Sequence, residues 1–374
     1  MKIKIFIIKV AILFLNIIYS FFKLFKTQNK ITFISRQSNS ITLDYKILSN
    51  KINEEMSDYK TVILCKKLEN KLSYIFHMFR QMYHIATSKV VILDSYCIAI
   101  SVLKHKKSLK VIQIWHAVGS MKKFGYAMID KKEGTKKEIA QVMKMHKNYD
   151  YVLISSMNYV KDFIEGFNIS KDIIKEIPLP RVDLLIDEEY KNKKREELYK
   201  KIPELKNKKN ILYCSTFRKE ENDNKHVYDL IDCIDFSKYN LIYQPHPLSK
   251  EKLDDKRIIK DFNSTFDALF VADYVISDYS SIIYEAGLLN LPVYIYAYDW
   301  DLYKTKREIN YDIEHDTPTI FTKNPKIIID AIENNNFDFK KFKEFINNNV
   351  TIPKNGCCNS TVELIKEIVN YKEK

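Results

Sequence analysis

Four short stretches carry residues whose types suit chemistry on an anion. The first is QIWHAVGSMKKFG (113–125), in which His116 directly follows an apolar run. An imidazole with a reference pKa of ~6.5 is a natural general base at neutral pH. Gly119 lets the chain turn close to a ligand, and Lys122 and Lys123 follow at the start of the next element. A core histidine satisfied by a backbone carbonyl is the competing reading. The second stretch is YQPHP (243–247), where prolines on both sides of His246 restrict the backbone and fix the side chain's direction. Such a histidine can donate to a phosphate oxygen, or it can be incidental to a rigid turn. The third is CSTFR (214–218): Arg218 offers a planar fork for phosphate, or it pairs with a surface carboxylate.

The fourth stretch is ADYVISDYSSIIYEAGLLNLPVYIYAYDWDLY (272–303), which reads as strand 274–277, polar turn 278–281, helix, and strand 293–297. It sets Ser280 and Ser281 where a helix begins. Helix starts leave backbone N–H groups without partners and carry partial positive charge, which suits a phosphate. The plainer alternative is that Asp278 or Ser280 only caps the helix. Histidines 77, 84, 105, 146, 226 and 315 lack comparable settings and are given no role.

These stretches need strands to present them. From Lys30 onward, β-branched runs (31–35, 61–65, 90–93, 111–115, 151–155) alternate with amphipathic or polar segments such as 68–83 and 136–146, and IPLPR (177–181) ends the series. A Lys/Arg-crowded segment, 191–209, reads as a linker with a solvated helix. A second series follows, with strands at 210–215, 240–244, 274–277 and 291–297. Two βα series predict an α/β protein of two doubly wound, Rossmann-type domains facing a cleft, with ligands beyond the carboxyl ends of the strands. The expected division is a membrane-associating segment at 1–29, an acceptor-side domain at 30–205 and a donor-binding domain at 206–374. The last helix, near 360–371, is able to cross back.

Composition narrows the class. The net charge of +13 calls for an anionic partner: a phosphate-rich substrate or an anionic membrane surface, with no nucleic-acid signature beside it. Six glycines and no Gly-x-Gly-x-x-Gly exclude a Gly-rich phosphate loop. The six cysteines form no disulfide framework, and the 357–358 pair lacks ligand spacing, so a reducing compartment fits. Residues 3–25 are apolar but interrupted by Lys4 and Lys9 and followed by Lys23, Lys26 and Lys30. That pattern favours a helix lying in the anionic inner leaflet over a span.

Taken together, QIWHAVGSMKKFG, ILYCSTFR (211–218), QPHP (244–247), the 272–299 block and the downstream Tyr303 and Arg307 resemble the CDP-glycerol glycerophosphotransferase family, the teichoic acid primases and polymerases of GT-B architecture. The resemblance implies catalytic roles for His116 and His246, and donor pyrophosphate contacts at Ser280 and Ser281 with Asp278 positioning the turn. The same motifs supply candidate substrate contacts at Trp115, Gly119, Lys122, Lys123, Thr216, Arg218, Pro247, Tyr279 and Glu285. The implied reaction moves glycerol phosphate from CDP-glycerol to a hydroxyl of a lipid-linked or capsular acceptor, releasing CMP at the cytoplasmic face of the membrane. CDP-ribitol is an alternative donor, and a nucleotide-sugar glycosyltransferase an alternative class. No resident cofactor or metal is expected, and assistance by Mg²⁺ stays open. The chain departs from the family's pattern at His116-Ala-Val-Gly, at Glu308 and at DTPT (316–319).

Overall fold

Parallel strands covered by helices on both faces must be apolar almost throughout, and the β-branched runs meet that demand. The computed structural model describes residues 2–216, 218, 224–245, 253–260 and 262–371. Two compact units account for them: Met1–Asp183 with Thr351–Lys374, and Leu184–Val350.

In the first unit six strands, β1 (Lys30–Ser35), β2 (Lys60–Cys65), β3 (Val90–Leu93), β4 (Lys110–Gln113), β5 (Tyr151–Ile154) and β6 (Ile174–Glu176), lie in the order β2-β1-β3-β4-β5-β6. All pairings are parallel. The chain moves outward from β1 to β2 and then resumes on the other side of β1 with β3. The carboxyl ends of β1 and β3 therefore flank a topological switch point, the place where open α/β sheets leave a crevice. The second unit repeats this logic. Its strands β7 (Lys209–Cys214), β8 (Tyr239–Gln244), β9 (Ile258–Ile259), β10 (Tyr274–Ser277), β11 (Val293–Tyr296) and β12 (Phe321–Thr322) are ordered β12-β11-β10-β7-β8-β9, again parallel. Here β7 and β10 flank the switch point. One face of this sheet is closed by Val227, Leu230 and Ile231 and by Ile328, Ile329 and Ile332, all essentially buried. Each such side chain contributes roughly 1.5–3 kcal/mol by leaving water.

Three features differ from the sequence reading. β6, β9 and β12 are two or three residues long, too short to show a period. The expected strand 111–115 stops at Gln113, because Trp115 adopts a left-handed φ of +65°. The units divide at 183/184 and 350/351 instead of 205/206. The reason is that the charged run is a docked helix, Glu188–Lys201, with Lys191 and Leu198 buried. It packs within the second unit: Arg195 Nε donates to the Phe270 carbonyl (3.1 Å) and Lys194 pairs with Asp267 (2.8 Å).

The helix Cys357–Val369 returns to the first unit and packs on helix α2 (Leu43–Glu55). Its start is fixed by Asp183, whose carboxylate accepts from the Cys357 and Cys358 N–H groups at 2.7 and 2.8 Å. Gly356, at φ +89°, brings the chain against that carboxylate.

Helix α1 (Lys2–Phe22) is tied down by polar and ring contacts near its end, and Ile5, Ile8 and Ile12 farther up are partly covered. Asn16 Nδ2 donates to the Val102 carbonyl, Tyr19 OH bonds His105 Nδ1 (2.9 Å), and Phe22 meets Tyr83 of helix α3 (Lys71–Thr87) edge-on. The other face of α1 points outward, with Ile3 78% and Phe6 67% exposed.

Removing a capping carboxylate costs about 1 kcal/mol or more. Asp183→Ala should therefore lower the unfolding free energy from denaturant titration by that amount, and Asp183→Asn by less, since an amide oxygen still accepts. Equal losses in both variants would contradict the capping role.

Candidate active site

The histidine turn of the first unit is built from Gln113 upward. This buried side chain closes the end of β4 by accepting the Trp115 N–H on Oε1 (2.9 Å), and its Nε2 donates to the Ser95 carbonyl (3.3 Å). The bond holds Trp115 in a backbone conformation that costs a non-glycine residue ~1–3 kcal/mol. The Trp115 indole then packs on the His116 ring (centroids 4.2 Å apart) and on Phe124, with Phe163 and Phe167 edge-on to it.

The partly buried His116 has its Nδ1 3.0 Å from the Asp94 carbonyl, at the end of β3. A carbonyl only accepts, so Nδ1 carries the proton and Nε2 presents a lone pair. Burial, opposed by that hydrogen bond and reinforced by the Arg181 guanidinium, pushes the His116 pKa down to about 4. The ring is neutral at physiological pH. Its backbone carbonyl also accepts from Arg181 Nη2 (3.3 Å), and Arg181 is clamped on the buried Asp44 through its N–H and Nε (3.0 and 2.9 Å). Gly119, at φ +76°, donates its N–H to Ser155 Oγ at the end of β5 (3.1 Å). Lys122 and Lys123 follow, both partly exposed. Near them Asp162 is pushed up to about 6 by burial, against Ser120 and Lys123, which favour its charged form.

In the second unit the switch point between β7 and β10 is filled by an ion cluster. Asp278, fully buried, accepts from the Thr216 N–H (2.9 Å), the Thr216 hydroxyl and Arg218 Nη2 (3.0 Å). Arg218 also grips Asp299 beyond β11 (Nε to Oδ2 2.7 Å, Nη2 to Oδ1 2.9 Å) and donates from Nη1 to the Thr216 carbonyl. Its guanidinium lies over the Tyr303, Tyr279 and Tyr298 rings, at 4.6, 5.4 and 5.5 Å.

Of the two readings open for Arg218, the structure therefore gives carboxylate pairing, in the interior and not on the surface. An arginine with two carboxylate partners organises the strand ends; it is not a vacant fork for phosphate. Tyr279 is likewise packed, fully buried against Trp300 and Tyr303 with its OH on Asp299 (3.2 Å), and Glu285 is buried within the helix Ile282–Leu288. These three were expected at the substrate; Tyr279 and Glu285 are buried, and Arg218 is part-buried on its two carboxylates. Ser280 and Ser281 are partly exposed at the helix start. Asp278 does not cap that helix, Ser281 makes no side-chain cap bond, and Ser280 Oγ receives only a long contact from the Ile282 N–H (3.4 Å). Both hydroxyls remain beside the turn's N–H groups. His246 and Pro247 lie outside the described residues; β8 ends at Gln244, two positions before His246.

Asp44, Arg181, Asp94 and Gln113 support the histidine turn without having been expected to. Asp44 gives no local signal in the sequence, whereas Asp299 closes the recurring block and was legible as part of it.

Breaking a buried pair by deleting one partner leaves an uncompensated charge and costs roughly 3–5 kcal/mol. Arg218→Gln should lose about that much in urea unfolding. Arg257→Gln, which removes an exposed pair with Asp255, should lose under ~1 kcal/mol. Equal effects would deny the cluster its structural role.

A profile of the CDP-glycerol:poly(glycerophosphate) glycerophosphotransferase family matches residues 17–360. The chain is 29% identical to the teichoic acid ribitol-phosphate primase of Bacillus spizizenii, over 86% of this chain and 87% of that protein. It is 31% identical to the teichoic acid glycerol-phosphate primase of Bacillus subtilis, over 82% and 84%. Its fold is similar to that of a variant of the wall teichoic acid polymerase TagF, with a TM-score of 0.77 at 17% identity, covering 99% of this chain and 98% of the other. The chain belongs to the CDP-glycerol:poly(glycerophosphate) glycerophosphotransferase family.

Proposed function

We propose that the protein transfers a polyol phosphate, glycerol phosphate in the first instance, from a CDP-activated donor to a hydroxyl of a lipid-linked teichoic-acid-type acceptor. Its relatives include both glycerol-phosphate and ribitol-phosphate primases, so CDP-ribitol is the alternative donor. The observation that carries the reading is the His116 imidazole at the end of β4, with Nδ1 tied to a carbonyl and Nε2 bare. Nε2 takes the proton of the acceptor hydroxyl as its oxygen bonds to the β-phosphorus. The bond from that phosphorus to the CMP oxygen breaks, and CMP leaves with the electron pair. The Ser280–Ser281 turn receives the donor diphosphate, and His246 stabilises its charge. Positioning and electrostatics suffice for such a transfer, and no resident cofactor is invoked.

A lipid-linked acceptor requires the enzyme at a membrane. With 21 residues, α1 is ~31 Å long, enough to span a bilayer core. Lys2, Lys4 and Lys9 along it, and the absence of any acidic residue, favour a helix lying in an anionic leaflet.

Labelled CDP-glycerol, CDP-ribitol and a UDP-sugar offered with a lipid-linked acceptor should give CMP release from the CDP-polyols, and His116→Asn should lower kcat by ~10² or more. Release of UDP alone, or an unimpaired variant, would overturn the reading. His116 works as a base only when unprotonated, so log kcat/KM should fall as pH drops through about 4, with no bend near 6.5. For the membrane, the full chain should sediment with phosphatidylglycerol vesicles and leave them in high salt. Salt-resistant binding to neutral vesicles would indicate a spanning helix.

A further inference from the structure

The switch point of the second unit holds an arginine neutralised by two carboxylates. The corresponding place in the first unit, between β1 and β3, also holds an arginine. Arg36 immediately follows β1; its N–H donates to Ser95 Oγ (3.1 Å) and its Nη1 to the Tyr96 carbonyl (3.1 Å), both just beyond β3. The guanidinium sits between the Tyr74 and Tyr96 rings, 5.8 and 5.9 Å from their centroids. Among the described residues no carboxylate forms an ion pair with it, and its buried Nε has no hydrogen-bond partner. Arg36 is part-buried, and the portion of a cation withdrawn from water is costly to hold unless an opposite charge meets it. Two aromatic faces and one carbonyl offset part of that cost, and an anion would offset the rest.

Three neighbouring features fit an anion there. Lys66, at the adjacent end of β2, donates its N–H to the Ser35 carbonyl and its Nζ to Ser73 Oγ, again without a carboxylate partner among the described residues. Ser35, Ser38 and Ser40 line the loop that leaves β1. Asp94–Tyr96 joins this place to the proposed base: the Asp94 carbonyl holds His116 Nδ1, and the next two residues hold Arg36. Arg36 and His116 thus flank the same three-residue turn.

We infer that Arg36, supported by Lys66, binds a phosphate of the acceptor and so places the acceptor hydroxyl at His116. This deepens the transferase reading above and rests on it. The planar fork of arginine matches a phosphodiester or diphosphate by paired hydrogen bonds, whereas lysine supplies only a point charge. The phosphate could belong to the terminal polyol phosphodiester of a growing chain or to the diphosphate that joins an acceptor to its lipid, and both have the same local chemistry.

The test is steady-state kinetics of the full chain and of Arg36→Gln and Arg36→Lys. Three acceptors are compared: a soluble oligo(glycerol phosphate), a lipid-diphosphate-linked disaccharide without glycerol phosphate, and a phosphate-free glycoside. Arg36→Gln should raise the acceptor KM by about tenfold or more on at least one of the first two, the loss expected for one charged hydrogen-bonded pair. The CDP-polyol KM should stay within about twofold, and Arg36→Lys should fall between. An effect on the oligomer alone identifies the chain-end phosphate; an effect on the lipid-linked disaccharide alone identifies the diphosphate. Unchanged acceptor KM values, or equal losses for donor and acceptor, would overturn the inference while leaving the transferase reading intact. If the glutamine variant does not fold, Arg36→Lys and competition by free glycerol 3-phosphate against the wild-type chain decide: competition against the acceptor supports the site, and competition against the donor alone refutes it. A wild-type chain that transfers nothing refutes both.

Discussion

The contact on which the rest of the second unit depends is the one between Arg218 and the two carboxylates Asp278 and Asp299. Parallel strands end in loops that have no hydrogen-bond ladder of their own. Here three such ends, those of β7, β10 and β11, are joined by one guanidinium using four of its five N–H donors. Tyr279, Tyr298 and Tyr303 screen the cluster from water, which strengthens it and raises the cost of disturbing it. The consequence is a Ser280–Ser281 turn whose preceding residues are fixed from below. A turn set in this way before any ligand arrives leaves less ordering to be done on binding.

The first unit reaches the same end by a relay of hydrogen bonds that closes on one ion pair, Arg181 with Asp44. Gln113 imposes the strained conformation of Trp115, the Asp94 carbonyl chooses the His116 tautomer, and Arg181 holds the His116 carbonyl while Asp44 holds Arg181. Each residue restrains the next, and none of the supporting groups needs to touch substrate. The cost of this enclosure is basicity. A histidine desolvated to a pKa of about 4 is a weaker base than one near 6.5, though it is uniformly unprotonated at neutral pH. The resting state thus favours availability of the lone pair over its strength.

The strands were legible because burial on both faces forces an unbroken apolar run, as in β1, β3 and β11. The histidine and Ser-Ser turns were legible because each is contiguous. What escaped the sequence is what folding alone juxtaposes. Asp44 and Arg181 lie 137 residues apart, and Asp183 meets Cys357 across 174. The charged helix Glu188–Lys201 lacks an apolar stripe, so its docking through Arg195 and Lys194 had no periodic signal. Arg218 was recognised as important, but its two readings differ only in whether carboxylates arrive, and Asp278 and Asp299 are 60 and 81 residues distant.

That last point bears on how arginines at switch points should be read. Topology brings a guanidinium to the carboxyl edge in both units, from the residues that follow β1 and β7. Position alone does not decide between a scaffold and a ligand site; the local charge balance does. Arg218 meets two carboxylates, so the protein has already supplied its counter-charge and an added phosphate would have to displace one of them. Arg36 meets two rings, a hydroxyl and a carbonyl and forms no ion pair among the described residues, so a counter-charge has to come from elsewhere. One fold element thus serves two ends, and the difference lies in the partners: Asp278 and Asp299 pair with Arg218 directly, whereas Asp94, after β3, is held by Ser95 and forms no ion pair with Arg36.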